Sequence, residues 1–115
     1  MANTFKVITK AGVTSADVIY TVAGSTTTVI LGLILGNTTS SSINATVTLG
    51  TDTGNRSGAN NEANQAVELI TSTPIPGNST LELLAGNKVV METTDTLSVT
   101  GSGAVDVALS VMEIT

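Results

Sequence analysis

The chain has 115 residues with no cysteine, histidine or tryptophan, one tyrosine and one phenylalanine, yet 41% of it is hydrophobic. That length suits one domain with its own apolar core, and the missing side chains remove disulfide scaffolds, thiolate nucleophiles and cysteine-ligated zinc. A formal charge of −5, with Lys6, Lys10, Arg56 and Lys88 as the cations, leaves no basic stripe for a phosphate backbone and excludes nucleic acid as the expected partner.

β-branched runs separated by turn clusters recur along the chain. They cover residues 4–9, 17–22, 27–36, 43–49, 66–71, 80–84, 88–92, 96–100 and 105–114. The spacing predicts an all-β fold: a single-domain antiparallel β-sandwich over residues 1–115, of jelly-roll or immunoglobulin-like Greek-key topology. Turns are expected at Ala23-Gly24-Ser25, residues 74–78, Ala85-Gly86-Asn87 and Gly101-Ser102-Gly103, where Gly, Pro and Asn supply the backbone angles that corners require. No segment has the period of a long amphipathic helix.

The run from Val29 to Leu35 is apolar on both parities. Val29, Leu31, Leu33 and Leu35 fill one, while Ile30 and Ile34 flank Gly32 on the other. A sandwich covers one face of each strand, so the parity of Ile30 and Ile34 is expected to meet a second subunit, with a covering loop as the alternative. The run is too short to cross a bilayer as a helix, and the first ten residues lack an apolar block after a basic region, so a soluble, unprocessed chain without a membrane partner is expected. Residues 50–64 are polar, small and aperiodic, and read as a long exposed loop in which Arg56, Asn60 and Asn61 are candidate partner contacts. Near the end, Val105, Val107, Leu109 and Val111 alternate cleanly with polar or small residues. Glu113 then takes the inward parity, which predicts a bulge or a changed environment there.

Chemistry is sparse. A serine nucleophile lacks its histidine base, and none of Lys6, Lys10 or Lys88 stands in a Ser-x-x-Lys pattern, so no enzyme activity and no catalytic residue is expected. Asp52, Glu62 and Glu68 lack the alternating ligands of a calcium loop, and no metal or cofactor is expected. Two aromatic rings are too few for a stacking platform, which disfavours sugars and bases as ligands. The triplets beginning at Asn37, Asn44, Asn55 and Asn78 match the glycosylation pattern, as chance dictates in a chain this rich in Asn, Ser and Thr.

Five phrases carry a resemblance: IYTVAG at 19–24, VILGL at 29–33, PIPGNSTLEL at 74–83, GNKVVME at 86–92 and DVALSVMEIT at 106–115. Together they resemble small virion structural proteins of tailed bacteriophages, cyanophage-like ones in particular. Ala23 stands where a proline is expected in that family's turn. The resemblance implies a virion location after assembly in a host cytoplasm, and a capsid decoration or cement protein bound to the major capsid protein or other virion proteins. It also implies a homo-oligomer, first of all a trimer. A tail, baseplate or fibre-associated module is the alternative within that class, and a glycan- or receptor-binding module the alternative outside it. The contact residues expected on this reading are Phe5 and Lys6 near the N-terminus, Ile30 and Ile34, and Arg56, Asn60 and Asn61.

Overall fold

The computed structural model describes residues 2–51, 66–84 and 88–115. Their order is β1 (Asn3–Val13), β2 (Asp17–Thr21), β3 (Thr27–Asn37), β4 (Ile43–Gly50), β5 (Val67–Ile75), β6 (Ser79–Leu83), β7 (Val89–Met91), β8 (Thr96–Gly101) and β9 (Val105–Ile114). One sheet has the order β1-β9-β3-β6, with β7 pairing the first half of β3 beside β6; the other has the order β2-β8-β4-β5, and every pairing is antiparallel. Successive strands therefore alternate between sheets from β1 to β4, and the late strands β8 and β9 insert between early ones. That is the jelly-roll order, which decides between the two topologies the sequence left open.

The core lies between the sheets. Ile30, Leu33, Leu35, Val105, Leu109 and Val111 from the first sheet meet Val47, Ile75, Leu97 and Val99 from the second. Aliphatic, mostly β-branched side chains fill it because they suit a pleated surface with one buried face. At 25 cal/mol per Å² of apolar area, each fully buried Leu or Ile contributes about 2 kcal/mol before entropy is counted.

Strand β3 departs from uniform alternation. Ile30 pairs with Val111 and Gly32 with Ser110, so β3 carries one extra residue, Leu31, against β9. This one-residue bulge switches the parity that faces the core: Thr28 and Ile30 point inward before it, and Leu33, Leu35 and Asn37 point inward after it. Ile30 is fully buried, and the expectation that it shares an outer face with Ile34 is corrected: the two lie on opposite faces of the sheet.

Two further differences concern ends and corners. Strand β5 continues through Pro74 to Ile75, where a corner was expected from residue 74. The proline is tolerated because β5 is the edge of its sheet, so its missing N–H breaks no inner ladder. The turn then falls at Gly77 and Asn78, with Asn78 in the left-handed region at φ 59°. At Glu113 the ladder between β1 and β9 runs on without a bulge, and the environment changes instead. The segment expected as a loop lies largely outside the described residues, as do the turn at 85–87 and the candidate contacts Arg56, Asn60 and Asn61.

Candidate interaction surface

The outer faces of the two sheets differ in chemistry. On the second sheet, Asn44, Thr46 and Thr48 of β4 alternate outward beside Thr96, Ser98 and Thr100 of β8, with Thr46 opposite Thr100 and Thr48 opposite Ser98. Hydroxyl and amide groups of this kind are well satisfied by water. The exposed valines of that sheet, Val18 and Val67, stand on its two edge strands β2 and β5, well separated.

The first sheet presents apolar rows instead. Phe5 lies opposite Met112, Met112 opposite Val29, and Val29 opposite Val90, so one row crosses β1, β9, β3 and β7 without a polar side chain. The next row is small: Val7, Ser110 and Gly32. The third joins Thr9, Ala108 and Ile34, with Glu82 at its β6 end. Phe5 is 70% exposed, Val7 65%, Val90 56% and Ile34 43%. Isolated apolar side chains on a surface need no explanation, whereas contiguous ones across four strands form the kind of patch found at interaction sites. Beyond the third row the small residues Gly36, Ala108 and Ala11 leave a shallow depression of about 400 Å³, bordered by Ile34, Thr9 and Asp106.

Lys6 and Phe5, adjacent in sequence, serve different faces. Lys6 shares the inward parity of Ile8, and its ammonium lies 2.8 Å from Glu113 Oε1. Glu113 also accepts a hydrogen bond from the hydroxyl of Tyr20 at 2.5 Å, and that hydroxyl is 2.7 Å from Thr28 Oγ1. Since the tyrosine's proton points at the carboxylate, Thr28 donates to Tyr20. Tyr20 comes from the second sheet and Thr28, Glu113 and Lys6 from the first, so the cluster ties the sheets together at one end.

Burial, together with the hydrogen bond to Glu113, pushes the Tyr20 hydroxyl up from 10.0 to about 12. Hydrogen bonds from Lys6 and Tyr20 hold the Glu113 carboxyl below its ordinary value. These are the properties of a satisfied structural network. The parity break at Glu113 and the chain's one tyrosine were the signals for it in the sequence.

Asn37, inside one glycosylation-like triplet, is buried and fully engaged. Its amide nitrogen donates to the carbonyls of Ser41, Ile75 and Pro76 at 2.8, 2.9 and 3.2 Å, and its oxygen accepts from the Thr39 N–H at 2.9 Å. It staples the corner after β3 to the corner after β5. Among the described residues, no three acidic, His or Cys side chains gather as a metal site.

No family model matches the chain. No curated protein matches it. A solved structure described as "Bacillus endospore appendages form a novel family of disulfide-linked pili" is similar at 14% identity and a TM-score of 0.48, over 99% of this chain and 87% of that one.

Proposed function

We propose that this protein is a non-enzymatic adhesion module of a bacteriophage virion, a capsid decoration or cement protein that binds the shell of major capsid protein as a small homo-oligomer. The observation that carries the adhesive part is the asymmetry of the sandwich: contiguous apolar rows on the outside of one sheet and a hydroxyl-rich surface on the outside of the other. A protein that only needed to stay dissolved would cover both faces as it covers the second. The virion setting comes from the five phrases spread from residue 19 to residue 115, which resemble tailed-phage structural proteins. Many copies on one shell make modest contacts sufficient through avidity.

Quantitative mass spectrometry of virions purified from a lysate in which the chain is present tests the reading. A copy number commensurate with the major capsid protein is the expected result. A few copies per particle would move it to the tail or baseplate, and its absence from particles would overturn the proposal.

A further inference from the structure

The outer face of the first sheet is shaped to receive itself. We propose that two copies of this chain stack these faces about a two-fold axis lying across the strands, directly over the row of Val7, Ser110 and Gly32.

That row sits at the middle of its strands. Gly32 is the central residue of β3, which runs from Thr27 to Asn37, and Val7 is one residue from the centre of β1, which runs from Asn3 to Val13. On one side of it stands the ridge of Phe5, Met112, Val29 and Val90; on the other lie Ala108, Ile34 and the depression beside Gly36 and Ala11. Bulky and smaller rows flank the axis. A half-turn about it carries the ridge of one copy onto the third row of the other, setting Phe5 over Thr9, Met112 over Ala108, Val29 over Ile34 and Val90 over Glu82 at the margin, with the hollow just beyond. This is the self-complementarity that an isologous contact requires. Face-to-face sheets then pack about 10 Å apart at a crossing angle of roughly −30°.

Area supports a second copy as the occupant. Four strand positions at about 4.8 Å, along 11 residues at about 3.3 Å each, give roughly 700 Å² per copy and about 1,400 Å² for the pair, which is within the range of stable specific interfaces. Charge supports it too. Each chain carries −5, and the face includes Glu82 at its margin and Asp106 beside the hollow; the half-turn carries neither onto a carboxylate of the other copy, so two like-charged molecules can approach here without facing their carboxylates.

The alternative route for a β-protein, pairing edge to edge, is obstructed at β1. Lys6 and Lys10 occupy its inward parity and are engaged with Glu113 and Asp17, an arrangement that discourages another strand from adding there.

The inference deepens the proposed function by assigning the oligomer contact, and it stands or falls separately, because self-association is measured on the isolated protein without a shell. Sedimentation equilibrium on the full chain is expected to give twice the 11.5 kDa of one chain. Ser110→Arg and Ser110→Glu each place like charges opposite themselves on the axis, so each alone should weaken the dimer by about 100-fold or more. An equal mixture of the two should restore a dimer, since the axis then brings Arg to Glu. Circular dichroism verifies that each variant is folded; should the Ser110 pair not fold, Val7→Lys and Val7→Glu in the same row supply the same test. A wild-type monomer at high micromolar concentration, a trimer, a dimer indifferent to Ser110→Arg, or a mixture that fails to re-form dimers would each overturn the proposal.

Discussion

Replacing Ile30 and Ile34 separately by alanine tests the bulge at Leu31, on which the assignment of the outer face depends. The residues are four apart on one strand and would share a face if alternation were unbroken, so they would respond alike. Here Ile30 is fully buried opposite Val111 and flanked by Val89, whereas Ile34 is 43% exposed opposite Ala108 and Glu82. Truncating a buried Ile loses its transfer free energy and leaves a cavity, at a cost of about 2–5 kcal/mol. For a chain of this length each kcal/mol lowers Tm by about 4–8 °C, so Ile30→Ala should melt roughly 10–30 °C lower. Ile34→Ala, removing half-solvated carbon, should cost less than about 1 kcal/mol. Thermal melts followed by circular dichroism, in the Ser110→Arg background so that dimer dissociation does not enter, give both values. Equal losses, or a larger loss at Ile34, would refute the parity switch.

Four further expectations concern the interior. Tyr20→Phe removes the hydroxyl that serves Glu113 and Thr28 and should cost about 1–3 kcal/mol in denaturant unfolding. The same cluster sets two limits in pH. Because the Glu113 carboxyl is depressed in the fold, its stabilisation is present above the unfolded value near 4.5 and is lost as pH falls through the lower folded value. Because the Tyr20 hydroxyl is raised, its stabilisation is full below 10 and is lost as pH rises toward about 12. Glu113→Gln should flatten the acid limb and Tyr20→Phe the alkaline one; unchanged limbs would contradict the network. Gly101→Ala places a Cβ 2.5 Å from the Gly103 carbonyl oxygen and 2.6 Å from that of Val13, so the backbone must shift and a loss of about 1–3 kcal/mol is expected. Asn37→Ala removes the buried bond to the Ile75 carbonyl, while the Ser41 and Pro76 carbonyls keep Thr39 Oγ1 and the Ser79 N–H as donors, and should cost about 1–3 kcal/mol, read as a lowered urea midpoint.

Much of the architecture is legible in the residues because period-two patterning and turn chemistry are local. The run from Val105 to Val111 states its buried face outright, and Gly24, Asn78 and Gly103 mark turns that the chain makes. Three features escape a local reading. Leu31's role as an extra residue depends on which residues of β9 stand opposite, and an apolar stretch such as Val29 to Leu35 gives no parity contrast to reveal the switch. Pro74 signals a corner by itself, yet its place on an edge strand, fixed by sheet order, lets β5 continue through it. The adjacency of Phe5 and Lys6 suggested one contact site, whereas alternation sends one to the outer face and the other to Glu113. The apolar outer face itself was half legible: Phe5 and Ile34 belong to it, while Val7, Val29, Val90 and Met112 join only once β1, β9, β3 and β7 are set side by side.

Carbene footprinting of the assembled protein against a monomeric Ser110→Arg reference measures which outer face is covered. Phe5, Val7, Ile34 and Met112 should lose labelling on assembly, while Thr46, Ser98 and Thr100 on the opposite sheet keep theirs. Protection of the hydroxyl-rich sheet with Phe5 and Val7 still labelled would contradict the account.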